Sequence, residues 1–151
     1  MAHPPLEQDW LIRLHIYEVF VEQGRPPTCA ETAAAFNISE DEARAAYHRL
    51  HAAHALFLEP GTDVVRIANP LSAIPTDYLV HVNNRALYAN CAWDSLGIPA
   101  MLHADAVIDA TDTLSGEPAR YRVEGGQLIA DGGLVHFPLP FRRWYDDLIH
   151  T

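Results

Sequence analysis

The sequence predicts an α+β fold: a winged-helix-like N-terminal part of three helices, then a mostly antiparallel β-sheet core with one inserted helix that carries the site. Three observations predict it. Apolar residues recur at three- and four-residue spacing through the first third of the chain, and short apolar runs replace that pattern afterwards. Asn83-Asn84, Gly125-Gly126 and Gly132-Gly133 punctuate the second half at close spacing, as antiparallel strands require. One apolar segment, 91–102, interrupts the strand pattern and reads as a helix.

Composition sets the frame. The 151 residues are 49% hydrophobic and 20% charged, enough to bury a core in one medium domain or two small ones. No run approaches the roughly 18 consecutive apolar residues of a membrane span. The N-terminus, Met1-Ala2-His3-Pro4-Pro5-Leu6-Glu7, lacks the pattern of a signal peptide, so the expected location is the cytoplasm, away from any membrane. The formal charge is −10 and every basic residue is arginine, a balance that repels nucleic acid unless the arginines share one face. Cys29 and Cys91 have neither the spacing of a metal knuckle nor the density of a disulfide scaffold.

The elements follow in order. Residues 6–22 read as an amphipathic helix with the stripe Leu6, Trp10, Leu14, Tyr17 and Val21, widened by Ile12, Ile16, Val19 and Phe20. Gly24-Arg25-Pro26-Pro27 ends it. Thr28 with Glu31, and Ser39 with Glu42, have capping-box spacing, predicting helices from Cys29 to Phe36 and from about residue 40 to His54. Leu56–Leu58 and Val64–Ile67 flank the turn Glu59-Pro60-Gly61-Thr62-Asp63 and predict a hairpin.

Three helices and a hairpin suggest DNA binding, but the third helix opens with Glu40, Asp41 and Glu42 and offers only Arg44 and Arg49. A major-groove reader needs donors near that end, so packing is the expected role and no nucleic-acid partner is expected. His48, His51 and His54 on this helix are expected to form a solvated face, not a zinc site. The expected division is 1–68 as N-terminal domain, 69–76 as a proline-rich linker and 77–151 as sheet core. Strands are predicted at 78–82, 85–89, 106–110, 119–123, 127–130 and 134–137, with Asn83-Asn84 as a tight hairpin turn.

Within the inserted helix, Asn90 is the expected N-cap and Cys91 the first-turn residue, where the helix dipole and free N–H groups favour a thiolate. Asp94 lies three residues on, on the same face, and opposes that effect because a nearby carboxylate disfavours a second negative charge. A soft sulfur beside a carboxyl that holds a proton suits capture of a thiophilic metal followed by protonation of a leaving group. Trp93 and Pro99 are expected to wall off water. Cys29, at the start of a framework helix, is the weaker candidate, since a buried cysteine is usually a small hydrophobe.

The segment Tyr88-Ala89-Asn90-Cys91-Ala92-Trp93-Asp94-Ser95-Leu96-Gly97-Ile98-Pro99-Ala100-Met101-Leu102 resembles the active-site segment of the alkylmercury (organomercurial) lyases. The similarity extends to Asn69–Thr76, Leu114–Pro118 and Phe141–Asp147 and to the order of a winged-helix-like part before a sheet core. It implies protonolysis of the carbon–mercury bond of a small organomercurial substrate. Cys91 then matches the mercury-capturing cysteine, and Asp94 the aspartate that delivers the proton and helps hold Hg(II). No tightly bound cofactor is implied; Hg(II) is the product. The family's second catalytic cysteine is expected beyond Trp144–Thr151 and Cys29 does not match it, so an exogenous thiol is expected to stand in.

Two other readings stay open on the residues. One is a lyase or hydrolase of different chemistry on the same scaffold, with Cys91 as nucleophile or Asp94 as general acid/base on a small organic substrate. The other is a non-catalytic mercury-binding or winged-helix module. A thiol pKa at or above that of free cysteine weighs against the nucleophile.

Overall fold

The computed structural model describes residues 4–130, 132, 133, 135–137 and 139–146. Helix α1 (Glu7–Gln23) starts where the Leu6 N–H donates to Asp9 Oδ2 at 2.7 Å and ends on left-handed Gly24, whose N–H reaches the Phe20 carbonyl at 2.9 Å. Its buried face is Asp9, Ile12, Ile16 and Phe20. This corrects the expected stripe: Leu6, Trp10 and Leu14 face outward, with Trp10 49% exposed. The helix is apolar on more than one side, so periodicity alone admits both faces. Asp9 goes inward because Arg49 receives it there, at 2.7 and 2.8 Å.

Helices α2 (Cys29–Phe36) and α3 (Glu40–Ala52) form as their capping boxes predict. Thr28 Oγ1 accepts the Glu31 N–H at 3.2 Å while Glu31 Oε2 accepts the Thr28 N–H at 2.7 Å; Ser39 and Glu42 repeat the exchange at 3.2 and 2.8 Å. His48 and His54 are exposed, as a solvated face requires, and all three histidines also have partners. His48 meets Asp63 at 2.7 Å, His51 Nδ1 accepts the Leu58 N–H at 3.3 Å, and His54 stacks on Tyr145 at 4.3 Å. Arg44 is committed to Asp63 at 2.7 Å and also to Asp41.

Strands β1 (Phe57–Leu58), β2 (Val65–Ala68) and β3 (Leu71–Ser72) make a small antiparallel sheet in that order. Strand β3 falls inside 69–76, where the extended path that the prolines favour is used for pairing. The Asn69–Pro70 peptide is cis.

The second sheet contains β4 (Tyr78–Val82), β5 (Arg85–Tyr88), β6 (Ala106–Thr111), β7 (Pro118–Glu124) and β8 (Gln127–Ile129), ordered β5-β4-β6-β7-β8 and antiparallel throughout. Asn83 and Asn84 turn the β4–β5 hairpin at φ 48 and 59, as asparagine can. Helix α4 (Ala92–Leu102) leaves edge strand β5 and crosses to deliver the chain to β6, on the other side of β4. Val80, Val82, Ile108, Val123 and Leu87 of the sheet and Ile98 of α4 join Ile12, Ile16, Phe20, Tyr47 and Leu50 in one continuous core.

The strand expected at 134–137 is not found: Val135, His136 and Phe137 are outside any strand, and Leu134 lies outside the described residues. Gly132 and Gly133, at φ 133 and 124, hold a backbone that strands do not adopt. A 3-10 helix, Phe141–Asp146, follows. Among the described residues no helix is long and apolar enough to cross a membrane.

Candidate functional site

Helix α4 starts one residue later than expected. Cys91, at φ −150 and ψ 179, is itself the N-cap, and its carbonyl accepts the Ser95 N–H at 3.0 Å. The cause is upstream. Ala89 still bridges Leu71, and the Asn90 N–H is held by the Pro70 carbonyl at 3.2 Å, so the chain stays extended through residue 90. The Asn90 side chain hydrogen-bonds Asp94 instead of capping the helix.

The cap brings the two predicted residues together. The Cys91 thiol donates to Asp94 Oδ2 at 3.3 Å. Burial, and next the Asp94 charge, push the Cys91 thiol up to about 11, although the N–H groups of Asp94 and Trp93 pull the other way. Burial also raises Asp94, against the hydrogen bonds from Cys91 and Asn90. The expected contest at the helix end is therefore won by desolvation and the carboxylate, not by the dipole. A thiol raised this far above ordinary cysteine is protonated at neutral pH. Two groups that each resist ionisation form a proton-holding pair, and their titration belongs to the pair.

Their surroundings are only partly those expected. Trp93 is 57% exposed and meets the edge of Phe137 at 6.2 Å, with Phe137 stacked on Trp144 at 5.3 Å; Pro99 is buried further along α4. They do not make a common wall. Tyr78 and Tyr17 are the aromatic groups that share the pair's field: burial raises both, and the charges of Cys91 and Asp94 respectively add to it.

Cys29 belongs to the framework. It is buried in α2, its sulfur 3.9 Å from the Asp63 carbonyl, and burial and then Asp63 raise its thiol. Among the described residues no three His, Cys, Asp or Glu side chains gather as a metal cluster. Asn90, Tyr78 and Tyr17 were missed by sequence reasoning as site neighbours. Asn90 carried a signal, its polar side chain four residues before Asp94, but capping absorbed it. Tyr17 was absorbed by the helix stripe.

No curated protein matches the sequence. Among solved structures, the mercury-bound form of MerB2 shares the fold with a TM-score of 0.68 at 24% identity, covering 83% of this chain. The chain spans 60% of the length of that structure. The family model for alkylmercury lyase, MerB, matches residues 71–147, just over half the chain and including Cys91, Asp94 and all of α4. By that match the chain belongs to the alkylmercury lyase family.

Proposed function

We propose that this chain cleaves the carbon–mercury bond of small organomercurials by protonolysis, with Cys91 capturing mercury and Asp94 delivering the proton. The observation that carries the reading is the 3.3 Å contact between a thiol and a carboxyl that burial raises together. A substrate R–Hg–X meets a protonated thiol. As the sulfur–mercury bond forms and X leaves as an anion, the thiol proton passes to the Asp94 carboxylate beside it. The resulting carboxylic acid then gives that proton to carbon, the mercury–carbon pair becomes the new C–H bond, and R–H departs. Hg(II) is left on the Cys91 sulfur and the Asp94 oxygen.

Each step has a physical reason. Two-coordinate mercury is soft and prefers sulfur. The displaced proton stays within one hydrogen bond, so no proton has to be recruited from water. A second sulfur on mercury raises its electron density and loosens the Hg–C bond. Cys29 is held against Asp63, so an added thiol supplies that ligand in the test. The same proposal treats 1–68 as a winged-helix-like packing domain, 69–76 as its linker and 77–151 as the lyase core, acting in the cytoplasm. A free-thiolate nucleophile is disfavoured by the raised thiol.

The test is incubation with an arylmercurial and excess thiol, reading free arene. Arene above the thiol-only rate, lost in Cys91→Ser, is the expected result. Equal rates in the two proteins, or no arene above the thiol-only rate, sink the proposal.

A further inference from the structure

We propose that Tyr17 is a positioning residue for the Cys91–Asp94 pair, acting through a strap of hydrogen bonds and packing contacts that ties α1 to the start of α4. The inference builds on the reading of Cys91 and Asp94 as the reacting pair and adds what holds them in place.

The strap begins in α1. Arg13 Nε donates to the Ala55 carbonyl at 2.9 Å, anchoring the guanidinium, whose carbon stands 4.5 Å above the Tyr17 ring. A second Arg13 N–H donates to Tyr17 Oη at 2.9 Å. With that oxygen already accepting, the phenolic hydrogen is directed elsewhere, and Tyr17 donates it to the Asn69 carbonyl at 2.7 Å. The residue so held is followed by Pro70, which touches the site twice. Its carbonyl accepts the Asn90 N–H at 3.2 Å, and its ring lies against Gly97, where an added Cβ would stand 3.1 Å from Pro70 Cβ. Asn90 precedes Cys91 and hydrogen-bonds Asp94; Gly97 follows Asp94 by one helical turn.

The path therefore runs from α1 to both flanks of the pair. It also explains why the chain remains extended through residue 90 and places the cap on Cys91. Tyr17 touches neither the sulfur nor the carboxylate by hydrogen bond, so its role is to fix the loop that fixes them. The polar chain is continuous, so removing one hydroxyl breaks both the tie to the Asn69 carbonyl and the bond from Arg13.

The test reads the site without mercury. In the full chain carrying Cys29→Ala, Cys91 is the sole thiol, and its alkylation by iodoacetamide is followed from about pH 7 to about pH 11. Tyr17→Phe keeps the ring under Arg13 and removes only the hydroxyl. A loosened strap admits water to the pair, so alkylation at about pH 8 rises by about three- to tenfold while far-ultraviolet circular dichroism matches the parent. Gly97→Ala pushes on Pro70 from the α4 side and shifts the profile the same way. Leu11→Ala, at an exposed position of α1, leaves it unchanged. An unaltered profile in folded Tyr17→Phe overturns the proposal, as does an equal shift in Leu11→Ala. If Tyr17→Phe fails to fold, Arg13→Met, which removes the guanidinium that holds the Tyr17 hydroxyl, decides instead: a shift supports the strap and no shift overturns it. Because arene release is a separate assay, a failed strap and a failed lyase reading give different results.

Discussion

The Cys91 sulfur and the Asp94 carboxylate lie 3.3 Å apart at the first turn of one helix, and the carboxylate opposes ionisation of the thiol that the helix end favours. Burial decides the contest. The consequence is a protonated thiol beside a carboxylate that can take its proton, an arrangement suited to moving a proton as a soft metal arrives.

Replacing the carboxylate should make the thiol easier to ionise. In Asp94→Asn the negative charge is gone, so the alkylation midpoint of Cys91 falls from about 11. It stays above the value of an ordinary cysteine, because burial is the larger cause of the shift. The pH dependence of iodoacetamide alkylation measures it; an unchanged or higher midpoint refutes the assignment.

The same variant should separate capture from cleavage. Asp94→Asn keeps the sulfur and loses the proton carrier, so mercury binding survives while arene release drops by about a hundredfold or more. Ultraviolet thiolate–mercury absorbance reads the first and chromatography of arene the second. Retained cleavage would remove Asp94 from the proton path.

A stability prediction concerns Asp9 and Arg49. Asp9 is 1% exposed and bonded twice by Arg49. Burial raises its carboxyl, but the Arg49 hydrogen bonds, the Leu6 N–H and the Arg49 charge together hold it below the usual carboxylate value. Arg49→Ala strands a buried charge and should cost about 3 kcal/mol at neutral pH in urea denaturation. The folded carboxyl is depressed, so its contribution is full above the unfolded value near about 4 and is lost as pH falls through the folded one. The gap between parent and variant should therefore narrow in acid; a gap that widens contradicts the pairing.

Duplex DNA should not be retarded in an electrophoretic assay at low salt. Both arginines of α3 are engaged, Arg44 with Asp63 and Arg49 with Asp9, so the helix presents its acidic start. Retardation abolished by Arg44→Gln together with Arg49→Gln would restore a nucleic-acid role.

Much of this was determined by the sequence itself. Thr28 with Glu31, Ser39 with Glu42 and Asn83 with Asn84 specify helix starts and a hairpin through bonds that span at most a few residues, so the local chain encodes them. The i, i+3 placement of Cys91 and Asp94 is equally local once α4 forms. Tertiary structure decided the rest. Two faces of α1 satisfy a helical period, and Arg49, 40 residues from Asp9, selects which one is buried. The cap moved from Asn90 to Cys91 because Pro70 holds the Asn90 N–H. The sign of the thiol's shift followed from burial, which no spacing reports. The Tyr17–Asn69 bond crosses 52 positions of sequence, and contacts at that range exist only after the helices and sheets have packed.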